Sequence, residues 1–169
     1  MNTFEKAKKL LDDLQFSIID QDMQRPWGGF FVIDEDQAAS FVRHFFPEED
    51  IEQLKLSAKL SPKILVVAPH KRLSWQYHNR RAEIWRCVDG HAGVVTSLTD
   101  IEGERQILNP GDIVRLQQGE RHRLMGLNEW CIVAEIWQHT GDSHPSDEND
   151  IIRLQDDFGR QPNPIATLS

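Results

Sequence analysis

Gln76, His78 and Glu83 put three possible metal ligands inside residues 73–90, and His122 offers another nitrogen donor soon after Gly119. Residues 73–78 read as a strand, on which Gln76 and His78, two apart, share a face. Asn79-Arg80-Arg81 has the polarity of a tight connection, and residues 82–88 read as the returning strand. A hairpin there is expected to bring Glu83 beside His78. One amide oxygen, two imidazoles and a carboxylate would hold a divalent metal with open positions; zinc is the first expectation, and manganese, iron, cobalt or nickel also suit such a set. A lone His or Glu on a strand usually does nothing of the kind, so the joint spacing carries the reading. An inward Glu83 on an apolar strand also costs free energy unless a cation offsets its charge.

The elements that must position these groups follow from periodicity. Phe4, Ala7, Leu10, Leu11 and Leu14 recur at helical spacing over residues 3–15, which predicts an amphipathic helix. Arg25-Pro26-Trp27-Gly28-Gly29 is a turn before a strand at 30–33. Residues 36–46 read as a short helix ended by Pro47, with a second around Ile51 and Leu54, and serve as lid, dimer contact or packing. From 62 to 138 short strands are predicted at 64–68, 73–78, 82–88, 91–98, 105–108, 113–116, 122–125 and 130–138, separated by Gly, Pro and Asn turns. That pattern predicts an all-β sandwich or barrel of the jelly-roll kind. Residues after 138 are polar and Asp-rich, with Ile151, Ile152 and Leu154 as anchors, and Pro162 and Pro164 predict a frayed end. His70, His91, His139 and His144 lack partners at ligand spacing and read as turn or surface groups. Trp75, Trp85 and Trp137 read as core or rim packing.

A chain of 169 residues suits one domain with a closed core. With 19 basic against 27 acidic side chains, the net charge of -8 excludes non-specific nucleic-acid binding, which needs a basic face. Cys87 and Cys131 fall in apolar runs and read as buried thiols rather than a disulfide framework. No apolar run is long enough to span a membrane, and no secretory leader is recognisable, so a cytoplasmic location is expected.

The pattern Gln76-x-His78-x4-Glu83-x6-Gly90, then Gly111-x7-Gly119-x2-His122, resembles the paired motifs of the cupin superfamily. Within it, Leu73-Ser74-Trp75-Gln76-Tyr77-His78 and Arg81-Ala82-Glu83-Ile84-Trp85 resemble the type II mannose-6-phosphate isomerases, the family of C-terminal isomerase domains, in which Gln replaces the usual first cupin His. Arg25-Pro26-Trp27-Gly28, Lys63 before Pro69, His122-Arg123-Leu124, and Asp150-Ile151-x-Arg153 with Asp156 and Phe158-Gly159-Arg160 agree with it in order. The chain departs from the family at His70 (usually Gly), Gln117 (Pro), Gly126 (Asn), Trp137 (Gln) and Phe158 (Tyr), none of them a ligand position.

The resemblance implies a cupin double-stranded β-helix over residues 25–160, with a helical extension at 1–24, an insertion at about 35–58 and a tail at 161–169. It implies a sugar-phosphate isomerase acting on mannose 6-phosphate and fructose 6-phosphate through an enediol. Arg153 is then the functional arginine, joined by Lys63, while Arg25, Arg81 and Arg123 are the substrate's cationic contacts. Glu135, on one face with Cys131, Val133 and Trp137, or a water on the metal, would carry the proton. A homodimer is expected from the extra apolar helices. Two other readings stay open: a non-catalytic sugar- or sugar-phosphate-binding cupin, and a metal-dependent cupin of other chemistry, such as a dioxygenase or epimerase. An isomerase should converge cationic groups on its pocket, whereas a dioxygenase should have an apolar mouth.

Overall fold

The computed structural model describes residues 1–56, 59–141 and 143–160; the predicted frayed tail lies outside them. Helix α1 (Thr3–Asp13) opens on a capping box, with Asn2 accepting from the Glu5 N–H at 2.8 Å and Glu5 accepting from the Asn2 N–H at 3.2 Å. Among the described residues eleven strands follow: β1 (Ile18–Arg25), β2 (Gly28–Ile33), β3 (Lys63–Val67), β4 (Trp75–Tyr77), β5 (Arg81–Asp89), β6 (Ala92–Ser97), β7 (Gln106–Leu108), β8 (Ile113–Leu116), β9 (Arg121–Gly126), β10 (Cys131–His139) and β11 (Ile152–Gln155). Between β2 and β3 lie a 3-10 turn (Glu35–Gln37), α2 (Ala38–Phe45) and α3 (Ile51–Leu54).

The strands form two antiparallel sheets, one ordered β1-β2-β3-β10-β5-β8 and the other β11-β4-β9-β6-β7. Alternation sorts their side chains. Leu65, Val67, Trp85, Cys87 and Val133 point between the sheets, where they meet Val94, Leu116 and Leu124. Their neighbours Ile64, Val66, Ile84, Ile132, Ala134 and Ile136 point to the other face of the six-stranded sheet. That face is covered by Ala7 and Leu11 of α1 and by Phe41, Phe45 and Phe46 of the insertion. The insertion is therefore packing, and Arg86 ties it down by donating to the Phe45 carbonyl at 2.8 Å. The apolar faces that prompted the dimer expectation lie on the chain's own sheet. No helix among the described residues is long and apolar enough to cross a membrane.

Two strands carry no legible signal. β1 is an edge strand with Ile19, Asp20 and Gln21 exposed in a row, so alternation is lost, and it is held by pairing with β2. β11 is short and pairs β4 only through residues 152–155. The turn between β1 and β2 needs Gly28: its φ is +144°, and a Cβ there would sit 2.0 Å from the Val66 carbonyl oxygen.

Candidate metal centre

On β5 the inward alternation of Trp85 and Cys87 extends to Arg81 and Glu83, and on β9 it puts His122 inside with Leu124. His78 follows β4 directly, and Gln76 pairs in register with His122. The predicted hairpin does not form. β4 and β5 belong to different sheets, and the chain crosses the sandwich at Asn79-Arg80, so His78 and Glu83 meet across its interior. The physical reason is a remote anchor. The Asp150 carboxylate accepts the Asn79 and Arg80 N–H groups, each at 2.9 Å, and holds the corner open against hairpin closure.

His78, Glu83 and His122 are all buried, and their ligand atoms lie within 4.8 Å of one another. His122 Nε2 is 3.1 Å from His78 Nε2 and 3.0 Å from Glu83 Oε2. Each imidazole spends its other nitrogen on a carbonyl: His78 Nδ1 donates to Asp150 O at 2.6 Å and His122 Nδ1 to Glu120 O at 3.0 Å. In the tautomer that those bonds select, each ring turns its Nε2 to the other and to Glu83 Oε2, which makes no hydrogen bond among the described residues. Three lone pairs facing one point fit a divalent cation, and the donor set fits zinc among others. Gln76 is in place but presents Nε2, 3.4 Å from His78 Nε2, while its Oε1 accepts from Ser74 Oγ at 2.5 Å. A half-turn of the amide would be needed to offer the expected oxygen.

Arg81 stands beside this centre. Its Nε donates to Glu83 Oε1 at 3.2 Å, its Nη2 lies 3.2 Å from His78 Nε2, and Ser146 Oγ fixes its Nη1 at 2.8 Å. Burial would raise the Glu83 carboxyl, yet the Arg81 charge beside it holds it well below its ordinary value. Burial and the Arg81 charge push His78 down to about 3, which keeps the ring neutral, the form in which an imidazole could bind a metal.

The centre opens on a cavity whose lining includes Arg25, Lys63, Arg81, Arg153 and Arg160, opposed by Glu83, Glu135 and Glu148. Glu135 is buried and accepts from two indoles, Trp85 Nε1 at 2.8 Å and Trp137 Nε1 at 2.9 Å. Burial and the nearby Glu83 charge push its carboxyl up to about 7, with Lys63 and Arg81 pulling the other way. Lys63 Nζ sits 3.9 Å from the centre of the Trp137 ring, and the Arg81 guanidinium 3.6 Å from it. Arg153 pairs in register with Gln76 and lines the same cavity. Trp85 and Trp137 line it too, while Trp75 lies with Val95 and Met125 in a separate cluster.

Arg123 is not brought to the cavity. It alternates with His122 and Leu124 on β9, so it points to the opposite side, where it donates to Leu73 O at 2.9 Å and to Glu102 and Gln155. His139, expected at a turn or surface, is buried: Ser61 Oγ lies 2.8 Å from its Nε2, and its Nδ1 accepts the Ser146 N–H at 2.9 Å. Sequence reading missed Glu148, Asp150 as anchor, and Arg160 as part of the wall. Asp150 and Arg160 stood in quoted motifs without these roles, but Glu148 lies in an acidic stretch without periodicity, and the partners by which Glu148 and Asp150 act on the site are 70 or more residues away.

A family model described as "Mannose-6-phosphate isomerase C-terminal" matches residues 34–156. No curated protein matches the chain. Among solved structures, the chain is similar to an oxalate decarboxylase of Lactobacillus farciminis in a formate complex, with 18% identity and a TM-score of 0.59, covering 90% of this chain and 39% of that one. Vicilin from tomato is similar at 15% identity and TM-score 0.53, with 80% and 33% covered. A cupin 2 conserved barrel domain protein from Salinispora arenicola shares 26% identity at TM-score 0.41, with 47% and 62% covered. The chain thus spans less than two thirds of each of these proteins. The two-sheet arrangement shared with the first two is the cupin barrel.

Proposed function

This chain belongs to the mannose-6-phosphate isomerase C-terminal family, and from that premise we propose that it interconverts mannose 6-phosphate and fructose 6-phosphate with a divalent metal bound. The observation that carries the reading is one cavity that reaches a His/Glu/His triad through Glu83 and is lined by a carboxylate pushed up to about 7 and five cationic side chains. His78, Glu83 and His122 would hold the metal, zinc first, and it would supply Lewis acidity to the sugar's carbonyl and hydroxyl oxygens.

Glu135 is the proton carrier in this reading. Its carboxylate takes the proton from C2 of the aldose, leaving an enediolate charged at O1; the O2 hydroxyl proton passes to O1, and Glu135 returns its proton to C1 as O2 becomes the ketone oxygen. A carboxyl near neutral suits both halves of that transfer, since it must accept and then donate. The two indole N–H groups fix its orientation without consuming all its lone pairs. Arg153, Arg25 and Lys63 counter the charge of the phosphate and of the developing enediolate. The same cationic wall favours this chemistry over a dioxygenase, for which an apolar mouth is expected.

The test is metal analysis of the purified protein, then a coupled mannose-6-phosphate isomerase assay with that metal at full occupancy. Turnover that is lost on chelation and restored by the metal is the expected result. One observation favours a second reading, a non-catalytic sugar-phosphate-binding cupin: Arg81 already offsets the Glu83 charge and leans 3.2 Å from His78 Nε2. Fully metal-loaded protein with no turnover on any hexose phosphate, but saturable binding of one, would favour that reading.

A further inference from the structure

The pair between Lys63 and Glu148 is lopsided. Lys63 Nζ meets Glu148 Oε1 at 2.8 Å, but the lysine side chain is 8% exposed and the glutamate side chain 67%. The lysine is fixed: it projects inward from β3, beside Leu65 and between the rings of Phe30, 5.3 Å away, and Trp137. The glutamate reaches in from the segment joining β10 to β11, with its body in solvent. Four further cations line the same cavity as this carboxylate: Arg25, Arg81, Arg153 and Arg160. Lys63 first, then Arg81 and Arg25, hold the Glu148 carboxyl below its ordinary value.

We propose that Glu148 is a built-in counter-anion, which holds the anion position at Lys63 until the phosphate of a ligand displaces it. A buried ammonium with no anion beside it is costly. An exposed carboxylate on a connecting segment can satisfy that ammonium and still leave, because withdrawing it returns a charged group to water. The ligand class is a phosphate monoester or inorganic phosphate, whose oxygens would take over the Lys63 contact. The device also sets selectivity, since a neutral sugar or a weakly charged anion cannot compete with the resident carboxylate. Naming the phosphate as that of a sugar rests on the function proposed above; the displaceable anion position rests on these contacts alone.

The test is calorimetric titration of the full-length protein with inorganic phosphate at low ionic strength. If Glu148 occupies Lys63 in about nine molecules of ten, removing it tightens phosphate about tenfold, because apparent affinity scales with the competent fraction. Glu148→Gln and Glu148→Ala should both show that gain. Asp147→Asn makes the same charge change one residue away, on a carboxylate that pairs with Arg80 at 3.4 Å, and should stay within about twofold of wild type. Lys63→Met should lose the gain when combined with Glu148→Gln. The proposal is overturned if neither Glu148 variant tightens phosphate, if Asp147→Asn tightens it as much, or if the gain survives in the double variant. A protein that passes these titrations yet shows no isomerase turnover would refute the enzyme and leave the counter-anion standing.

Discussion

At Glu135, burial and the Glu83 charge work against Lys63 and Arg81, and the balance leaves a carboxyl that titrates at about 7 rather than near its ordinary 4.5. Turnover should therefore rise with pH through about 7 as the base ionises. Glu135→Gln should abolish that limb and lower turnover about a hundredfold or more while metal content stays whole. Stability runs the other way. The folded state keeps this proton up to about 7 while the unfolded chain releases it near 4.5, so stability falls as pH rises through that window, and the variant should flatten the slope in urea titrations. Arg153→Ala belongs to the same scale: it should leave fold and metal intact and cost about a hundredfold in turnover. Arg153→Lys should rescue it poorly because an ammonium lacks the guanidinium fork. His70 shows a different residue-scale effect. It stands where the resembled family usually has Gly and adopts φ +59°, a left-handed conformation that a side chain disfavours. His70→Gly should raise stability by about 1 kcal/mol, the relief of strain exceeding the entropy that Gly adds to the unfolded chain. Chemical denaturation measures it, and a loss of stability would show that the turn is unstrained.

Among the elements, the corner between β4 and β5 decides whether the ligands meet. Asp150, lying just before β11, accepts two N–H groups of that corner, accepts from Ser146 Oγ at 2.5 Å, and gives its own carbonyl to His78 Nδ1. One residue thus sets both the path of the chain and the tautomer of a ligand. Asp150→Asn keeps the size but turns one acceptor into a donor facing an N–H. Metal affinity should fall about ten- to a hundredfold, as is typical when a partner that orients a ligand is lost. Cobalt titration followed by absorption reads this directly, with far-ultraviolet circular dichroism as the check on folding. Unchanged affinity in a folded variant would make Asp150 a corner support only.

For the molecule as a whole, the metal would bind a site that exists only when the two sheets are packed together. His122 comes from one sheet, Glu83 from the other, and His78 from the crossing between them. Adding zinc at about a hundred times its dissociation constant should therefore stabilise the fold by about 2.7 kcal/mol. Thermal unfolding with and without zinc checks this, and His78→Ala should remove the gain.

Spacing in the sequence determined the donor types, the strand pattern from 62 to 138 and the helices, because periodicity and turn chemistry are local. It also put Glu135 with Val133 and Trp137, since residues two apart on a strand share a face. It could not determine that β4 and β5 part company, because the anchor that separates them is Asp150, about seventy residues on. Nor could it place Arg123, whose direction follows from which face of β9 the core takes, or Glu148, whose partner lies 85 residues earlier. The tertiary structure alone decided these. Ion pairs and buried hydrogen bonds between distant segments are satisfied by the packing of the sheets, and no periodicity in the chain announces them.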